Sequence, residues 1–366
     1  MYSTDIAFFL RYVGGGGAER VILNLIQKLA EMGLKVDLVL AIGGGPFIKY
    51  VCPKVRIIDL KAPRLALCLP KLVKYLKNEQ PKTLLSTLHY NNEFAILAKI
   101  ISGTSTRVIV REANTVSRQA EASSQLKKRL IPIFIRYLYP FADGIIAVSQ
   151  GVANDLAQIT GLPKNRFRVI YNPTIVPDLL EKMKEPIDHP WFNQTSFPIV
   201  LGVGKLQEQK DFPTLIYAFA QVRKIREAKL VILGWGPDRP KLEALIHELG
   251  LEGDVMLPGH VNNPYAYMAH SNVFALSSLW EGLPNVLIEA MATGVPVIST
   301  NCESGPSEIL DNGKYGHLIP VGDSQALAEK ILSALDSQAP PIPADWLSQF
   351  TVDHSTQEYL NMLGLT

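Results

Sequence analysis

The chain has 366 residues, of which 47% are hydrophobic and 19% are charged, and its formal net charge is +2. This composition excludes a disordered chain, and the length fits roughly two globular domains with full cores. The three cysteines are widely separated and lack metal-ligand spacing, which is typical of the cytoplasm. The apolar start at residues 6–10 is too short for a signal peptide, and no run approaches the ~18 apolar residues of a membrane span.

The first half of the chain alternates between short apolar runs and amphipathic stretches. Helix-like stretches at residues 18–31 and 69–78 separate runs that have the length and composition of buried strands. The predicted strands cover residues 5–10, 35–42, 82–86, 107–110, 144–148 and 167–171. Alternation of this kind predicts an α/β domain with a parallel sheet.

A proline-rich segment follows this first series. Five prolines lie between residues 172 and 198, and this density of helix and strand breakers predicts a linker over residues 176–197. A second α/β series then begins, with helices expected at residues 213–227 and 240–249. Its predicted strands cover residues 198–203, 229–233, 254–257, 273–276 and 296–299. The sequence therefore predicts two Rossmann-like domains, residues 1–175 and 198–345, that face each other across a cleft.

Three glycine-rich turns fall between predicted strands and helices. Residues 14–17 are all glycine, so bare backbone can approach a phosphate at the N-terminus of the next helix. This turn matches neither a Walker loop nor the dinucleotide fingerprint. In the second domain, Gly204-Lys205 is followed by Lys210, and two lysines beside a turn can clamp a diphosphate. The third turn, 234–236, can shape a nucleotide pocket, although each turn alone is also compatible with a purely structural role.

Residues 280–292, Trp-Glu-Gly-Leu-Pro-Asn-Val-Leu-Ile-Glu-Ala-Met-Ala, carry the most informative local pattern. Pro284 suits the first turn of a helix, where its missing N–H costs nothing, and the residues after it continue a helix. Glu281 is therefore expected in the preceding loop and Glu289 inside the helix. The N–H groups of the first helical turn near Asn285 and Val286 have no acceptor within a helix, and with the positive end of the helix dipole they predict a site for an anion such as phosphate.

These residues together resemble the retaining glycosyltransferases of the GT-B fold, the group called glycosyltransferase family four. The resemblance runs nearly end to end. Its motifs are Gly-Gly-Ala-Glu-Arg at 16–20, Ala-Val-Ser at 147–149, Gly-Lys at 204–205 with Lys210, the segment 281–292, Ser-Gly-Pro-Ser-Glu-Ile at 304–309 and Gly-His-Leu-Ile-Pro at 316–320. The resemblance implies a GT-B fold in which a C-terminal helix, residues 346–366, packs back on the first domain.

The resemblance also implies a role for each motif at a nucleotide-sugar donor. Lys205 and Lys210 are expected to neutralise the diphosphate by charge pairing. Glu281 is expected to hold hydroxyls of the donor sugar, and Glu289 those of the ribose. The remaining expected donor-binding residues are Gly16, Gly17 and Gly204, the backbone amides of Leu283, Asn285 and Val286, and His260 and Val261 at the base.

The reacting centre is expected to include His89, because related enzymes place a histidine after this strand near the reacting carbon. A satisfied structural histidine is the alternative. Arg111 and Glu112, at another strand end, are candidate acceptor or donor contacts. No Asp-X-Asp motif stands at the expected place, and two lysines with a helix N-terminus can do the charge work of a divalent ion. We therefore expect no metal and no cofactor.

The expected reaction is transfer of a sugar, with retained configuration, from a nucleotide-diphosphate donor to a hydroxyl of a glycan or lipid-linked acceptor. UDP is expected ahead of GDP, and the pathway is expected to be cell-envelope or polysaccharide biosynthesis. A non-catalytic nucleotide-sugar-binding subunit of a glycan-assembly complex is the alternative. A nicotinamide-dependent oxidoreductase would need the missing glycine fingerprint, and a glycosidase would not need two phosphate-binding lysines.

Charge is distributed unevenly along the chain. Residues 1–180 hold 24 Lys and Arg against 12 Asp and Glu, a net of +12, whereas residues 181–366 hold 12 against 22, a net of −10. The basic half can attract an anionic acceptor or the inner face of the plasma membrane, or it can serve solubility alone. A nucleic-acid partner is not expected. Residues 125–139 mix Lys127, Lys128, Arg129 and Arg136 with large apolar groups, which favours a membrane surface, although the apolar groups can equally be core.

Overall fold

The chain divides into two units in the computed structural model, which describes residues 4–123, 125–193, 197–337 and 340–365. The first unit comprises residues 1–174 and 349–366, and the second comprises residues 175–348. The segment 176–197, predicted as a linker, belongs to the second unit and contains two short helices. Residues 194–196 of that segment lie outside the described part of the chain.

The first unit is built on a seven-stranded parallel sheet. The seven strands are β1 (Ile6–Leu10), β2 (Val36–Leu40), β3 (Arg56–Asp59), β4 (Thr83–Thr87), β5 (Arg107–Glu112), β6 (Gly144–Ala147) and β7 (Phe167–Val169). Their spatial order is β3-β2-β1-β4-β5-β6-β7. Strand β1 pairs with β2 through Ile6 and Val36, and with β4 through Ile6 and Thr83. Strands β1, β2 and β4 are buried throughout, as expected of parallel strands covered by helices on both faces.

Helices cover this sheet, and the last helix of the chain is one of them. The helices are α1 (Gly17–Glu31), α2 (Leu69–Glu79), α3 (His89–Ser102), α4 (Val116–Glu121), α5 (Leu126–Arg129), α6 (Ile131–Leu138), α7 (Gln150–Thr160) and α17 (Val352–Leu363). Helix α17 contributes Tyr359, Leu360 and Leu363 to the core beside β1 and α1. An ion pair of 2.5 Å between Lys28 Nζ and Asp353 Oδ1 joins α1 to α17 at the surface.

The second unit repeats this plan with six parallel strands in the order β10-β9-β8-β11-β12-β13. The strands are β8 (Ile199–Val203), β9 (Lys229–Leu233), β10 (Val255–Gly259), β11 (Val273–Leu276), β12 (Val297–Thr300) and β13 (His317–Ile319). The helices are α8 (Leu179–Lys182), α9 (Pro190–Asn193), α10 (Phe212–Ile225), α11 (Arg239–Glu248), α12 (Pro264–Ala269), α13 (Asn285–Thr293), α14 (Pro306–Ile309), α15 (Ser324–Leu335) and α16 (Ala344–Ser348). Its core is formed by side chains of β8, β9 and β11 with those of α10, α11 and α15.

The predicted α/β class is confirmed, and each predicted strand overlaps an observed one. The prediction omitted β3 and β13, which are edge strands and are only partly buried. Among the helices of the described residues, none is both long and apolar enough to cross a membrane. Both units share the strand order of doubly wound nucleotide-binding folds, in which ligands bind where the order reverses. That point lies between β1 and β4 in the first unit, and between β8 and β11 in the second.

Candidate active site

The loops that follow β8 and β11 meet at the carboxyl edge of the second sheet, at its reversal point. Residues 204–210 follow β8, and residues 277–284 follow β11. Two hydrogen bonds join these loops: the Leu279 N–H donates to the Gln209 carbonyl, and the Gln209 side chain donates to the Trp280 carbonyl, both at 2.9 Å. The two predicted charged motifs are therefore held side by side.

Lys210 and Glu281 form an ion pair in this place. The Nζ atom of Lys210 lies 2.5 Å from Oε1 of Glu281, and the side chains are only 15% and 7% exposed. The Ser278 hydroxyl donates to the same carboxylate oxygen at 2.7 Å, and the Ser277 hydroxyl donates to the Lys210 carbonyl at 2.8 Å. Because this ion pair is buried and held by further hydrogen bonds, its geometry is more fixed than that of an ion pair on the protein surface.

Helix α13 begins directly after this pair. Pro284, which the sequence suggested for the first turn, is instead the N-cap residue, and the helix runs from Asn285. Glu281 lies in the loop, and Glu289 lies in the helix, where it is buried and accepts a hydrogen bond of 3.4 Å from the Tyr265 hydroxyl. Leu283 is buried, whereas Asn285 and Val286 are half-buried at the helix N-terminus. The positive end of the helix dipole therefore lies next to the ion pair.

The loop of residues 304–309 supports the start of α13. Gly305 has a φ of 95°, and a β-carbon at this position would lie 2.6 Å from Cδ of Pro284 and 2.9 Å from the Gly282 carbonyl oxygen. Only glycine allows both this backbone conformation and this close approach. The loop that contains Ser304 and Gly305 thus packs directly against the loop that contains Glu281.

Lys205 lies on the same sheet edge, but its side chain is exposed and takes a different partner. Its Nζ atom is 5.3 Å from the ring centroid of Trp235, a cation–π arrangement. A β-carbon at Gly204 would lie 3.2 Å from Cγ of Lys210, so a side chain at this position would crowd the lysine. Gly234 has a φ of 145° and packs closely against Gly204, because a β-carbon at Gly234 would lie 1.8 Å from the Gly204 carbonyl oxygen. The backbones of the two glycine turns therefore pack directly against each other, next to Lys205 and Lys210.

His260 and Val261 follow β10 at the far end of this edge. The Gly234 N–H donates to the Gly259 carbonyl at 2.8 Å, which ties the turn before His260 to the turn after β9. His260 is exposed and Val261 is half-buried. The predicted donor-binding residues of the second unit therefore lie in loops or helix starts at one edge of one sheet, except Glu289, which lies in the second turn of α13.

Gly16, Gly17 and His89 lie at the reversal point of the first sheet, after β1 and β4. Gly16 is the N-cap of α1, and a β-carbon there would lie 2.6 Å from Oε2 of Glu19, so the carboxylate of Glu19 folds back over this helix end. Burial, followed by the charge of Glu19, raises the pKa of Tyr90, the residue after His89.

His89 is the first residue of α3 and is largely buried. Its Nδ1 atom lies 3.8 Å from Oε1 of Glu93, and the imidazole meets the Tyr90 ring edge-on at a centroid distance of 5.2 Å. Neither Nδ1 of His89 nor Oε1 of Glu93 has a hydrogen-bond partner within the described residues. Two buried polar atoms without hydrogen-bond partners among the described residues therefore lie at the reversal point of this sheet.

Arg111 and Glu112, the candidate acceptor contacts, are both fully buried in the first unit. The guanidinium of Arg111 donates to Thr87 Oγ1 at 2.8 Å and to Asn172 Oδ1 at 2.5 Å. Glu112 accepts a hydrogen bond of 2.7 Å from the Tyr139 hydroxyl, and burial raises its pKa despite the opposing effect of nearby His89. Contact of either side chain with an acceptor would require this part of the unit to open.

Several residues that contact the predicted site residues were not predicted from the sequence. Ser278 and Tyr265 hold the two glutamates, and Trp235 lies over Lys205. Cys302 is buried nearby, and burial together with the charge of Glu281 raises the pKa of its thiol to about 12. The paired serines after β11 and the tryptophan between two glycines were visible signals, because polar or aromatic residues at strand ends are often functional.

Two family models match the chain and together cover most of it. The model described as Glycosyltransferase Family 4 matches residues 15–175, and the model described as Glycosyl transferases group 1 matches residues 183–347. Each range lies almost entirely within one of the two units, and β1 precedes the first range.

Named relatives and solved structures agree with the family models. A Campylobacter jejuni N-acetylgalactosamine-N,N'-diacetylbacillosaminyl-diphospho-undecaprenol 4-alpha-N-acetylgalactosaminyltransferase is 32% identical over 348 residues, which cover 90% of each chain. The lipopolysaccharide core biosynthesis glycosyltransferase LpsE of Rhizobium meliloti is 28% identical and covers 86% of this chain and 84% of its own. The structure of Anabaena HepE in complex with UDP-glucose has a TM-score of 0.80 at 21% identity and 99% coverage of both chains. The two doubly wound sheets are those of a GT-B fold, and the chain belongs to the group 1 glycosyltransferases of family 4.

Proposed function

We propose that this glycosyltransferase moves a sugar, with retention of anomeric configuration and without a metal ion, from a UDP-sugar to a hydroxyl of a lipid-linked or polysaccharide acceptor of the cell envelope. The observation that carries the proposal is the Lys210–Glu281 pair beside the N-terminus of α13. The names of the Campylobacter and Rhizobium relatives support the acceptor class, and the UDP-glucose complex of HepE supports the donor class.

The second unit supplies the donor contacts in this proposal. Lys210 and Lys205 pair with the diphosphate, and the N–H groups at Leu283, Asn285 and Val286 bind its oxygens with the help of the α13 dipole. Glu281 accepts hydrogen bonds from hydroxyls of the donor sugar. The remaining assignments are Gly204 for close backbone approach to the diphosphate, Glu289 for the ribose hydroxyls, and His260 and Val261 for the uracil.

The first unit supplies Gly16, Gly17 and His89. The backbone N–H groups at the start of α1 are proposed to bind phosphate oxygens, and such an anion would displace the carboxylate of Glu19 from its position over Gly16. His89, whose Nδ1 atom has no hydrogen-bond partner in the described part of the chain, is proposed to contact the donor sugar near its reacting carbon.

In the proposed step, the bond from the anomeric carbon to the diphosphate oxygen breaks, and the acceptor oxygen bonds to the same face of that carbon. The acceptor hydroxyl loses its proton to an oxygen of the leaving diphosphate, so no separate general base is required. Lys210 and the α13 N-terminus stabilise the negative charge that grows on the leaving group. Because fixed cationic groups supply this charge, the reaction is expected to proceed without a divalent ion.

Incubation of the purified chain with a panel of nucleotide sugars and with lipid-linked or glycan acceptors tests the proposal. Release of UDP with a new glycosidic bond is expected from one donor, undiminished by EDTA, and NMR of the product should show the anomeric configuration of the donor. Lys210→Ala and Glu281→Ala should reduce transfer by about 10²-fold or more. Lys241→Ala, which removes an exposed lysine of the same unit, is the control and should remain active. Donor binding without transfer or hydrolysis would instead identify a non-catalytic binding subunit.

We also propose that the first unit binds the surface of an anionic membrane, where a lipid-linked acceptor is found. Large apolar side chains form an exposed stripe along α5 and α6 and the turn after them: Leu126, Leu130, Ile133, Phe134, Tyr137 and Phe141. Ile133, Phe134 and Tyr137 lie on one face of α6. Leu126 lies in α5, Leu130 lies between the two helices, and Phe141 follows α6. The exposed cations Lys128, Arg129 and Arg136 lie among them, whereas the side chain of Lys127 lies outside the described residues.

An apolar stripe flanked by basic residues is typical of a helix that lies in a membrane interface. The basic excess of the first half of the chain favours an anionic surface. The test is sedimentation with vesicles of phosphatidylglycerol and phosphatidylcholine. Replacing Phe134 and Tyr137 by serine should reduce the partition coefficient by about 10-fold or more. Replacing Tyr50, an exposed aromatic of the same unit outside the stripe, is the control, and equal binding by all proteins would contradict the proposal.

A further inference from the structure

The residue before His89 has a backbone conformation that is rare for any residue except glycine. Leu88 has a φ of 71° and a ψ of 133°. The described part of the chain contains five other non-glycine residues with positive φ, and these are the polar residues Lys61, Gln80, Asp211, Asp311 and Asn312. Gln80 and Asp211 lie in the ordinary left-handed helical region. Leu88 therefore stands apart both in residue type and in conformation, and its backbone is strained.

Main-chain hydrogen bonds hold this strained turn from both sides. The Leu88 N–H donates to the Arg111 carbonyl of β5 at 3.1 Å. The Leu88 carbonyl accepts from the N–H groups of Asn91 and Asn92 at 2.9 and 3.1 Å, which close the first turn of α3. The Asn92 side chain donates to the same Arg111 carbonyl at 3.0 Å. The strand end, the neighbouring strand and the helix thus fix the turn together.

A buried network anchors these groups to the rest of the first unit. The Asn92 amide also donates to the Tyr139 hydroxyl at 2.9 Å, and that hydroxyl donates to the Glu112 carboxylate at 2.7 Å. Asn92, Tyr139 and Glu112 are all fully buried. These hydrogen bonds restrict the turn that they support, although Oδ1 of Asn92 has no hydrogen-bond partner among the described residues. The buried polar residues of β5 therefore serve to hold the turn at the end of β4.

The strained turn determines where His89 is presented. Its backbone dihedrals set the direction in which α3 leaves β4, and His89 is the first residue of that helix at the reversal point of the sheet. Strained strand-to-helix turns present side chains at the top of α/β sheets in other enzyme folds as well. The cost of such strain persists only where the surroundings enforce it, and it concentrates at functional sites.

We propose that Leu88 is a positioning residue for His89, acting through its strained backbone rather than through its side chain. This inference rests on the proposed function, in which His89 contacts the donor sugar. The effects of the Leu88 backbone conformation and of the Leu88 side chain can be separated by two substitutions. Alanine removes most of the side chain but keeps the β-carbon, and therefore the strain, whereas glycine removes the β-carbon and relieves it.

The experiment compares Leu88→Ala with Leu88→Gly by calorimetry and by steady-state transfer kinetics. The glycine variant should unfold at a temperature equal to that of the alanine variant or up to ~2–4 °C higher, because relief of strain offsets the flexibility of glycine. Its kcat should nevertheless fall by ~10- to 100-fold, since the relaxed turn no longer fixes the histidine. The KM for the donor should change less than kcat, and Leu88→Ala should keep a kcat within ~3-fold of the parent.

Two controls make each result decisive. Gln80→Gly relieves a positive φ at the C-cap of α2, outside the site, and should change stability without changing kcat. His89→Ala should lose kcat to the same extent as Leu88→Gly. If His89→Ala is active at the parental rate, the proposed role of His89 is wrong. If only His89→Ala loses activity, or if Leu88→Gly is less stable than Leu88→Ala, the positioning role of Leu88 is wrong while the proposed function stands.

Discussion

Breaking the Lys210–Glu281 pair is expected to cost the second unit stability as well as activity. The two charged atoms lie 2.5 Å apart, and the side chains are 15% and 7% exposed. At an effective dielectric constant of about 20, Coulomb's law gives about 7 kcal/mol for unit charges at this distance. Desolvation of both groups offsets much of that energy. We therefore expect a coupling energy of about 2–4 kcal/mol between the side chains.

A double-mutant cycle measures this coupling. All four tryptophans lie within residues 175–348, so their fluorescence during urea unfolding reports on the second unit alone. Lys210→Met and Glu281→Gln should each destabilise this unit by about 3 kcal/mol, because each leaves a buried charge without its oppositely charged partner. The double variant should lose clearly less than the two single losses combined.

An exposed ion pair of the same unit provides the matched control for the cycle. Arg239 Nε lies 2.8 Å from Glu243 Oε1, and the side chains are 42% and 51% exposed. Solvent screening should limit the coupling of this pair to about 0.5 kcal/mol. A coupling between Lys210 and Glu281 no larger than that of the control would refute the view that the pair is a fixed, desolvated element of the site.

Two further predictions concern charged groups of the second unit. Burial alone would raise the pKa of Asp254, but hydrogen bonds from Lys229 and Arg223 hold it below its ordinary value. A carboxyl group whose pKa is lowered by folding stabilises the folded state above its unfolded-state pKa, and this stabilisation is lost as the pH falls through the folded-state pKa. Asp254→Asn should therefore lower the free energy of unfolding of this unit at pH 7. It should also make that free energy depend less on pH below about pH 4, as measured by tryptophan fluorescence. Trp235→Ala should raise the donor KM about 2- to 5-fold at unchanged kcat, since the cation–π contact with Lys205 is worth about 0.5–1 kcal/mol, and an unchanged KM in steady-state kinetics would contradict this.

The fold was predictable from the sequence because the central strands are buried on both faces. β1 and β4 are apolar enough to stand out as short runs between helices, and their parallel pairing follows from the alternation of elements. β3 and β13 escaped prediction for the converse reason. Each pairs with one neighbour only and is partly exposed, so its hydrophobic signal is short and weak. Burial on both faces made the central strands stand out, but it does not explain every strand, because the edge strands β7 and β10 are also partly exposed and were predicted.

The site was only partly predictable, because its central contact joins residues that are 71 positions apart in the sequence. Local chemistry identified Lys210 as a lysine beside a turn and Glu281 as a carboxylate before a helix, but it did not show that they pair. The pairing follows from the strand order, which brings β8 and β11 together at the reversal point. The strain at Leu88 was equally hidden, because it depends on the Arg111 carbonyl of a neighbouring strand.

The contrast between His89 and the pair Arg111 and Glu112 shows why strand order matters for polar residues at strand ends. All three looked alike in the sequence, as polar groups at the ends of predicted strands. His89 follows β4, which borders the reversal point, where helices after adjacent strands pack on opposite faces of the sheet and leave a crevice. β5 lies one strand further out, and its polar side chains are buried. A polar residue at a strand end is therefore a stronger binding candidate where it borders the reversal than where, like Arg111 and Glu112, it is buried one strand further out.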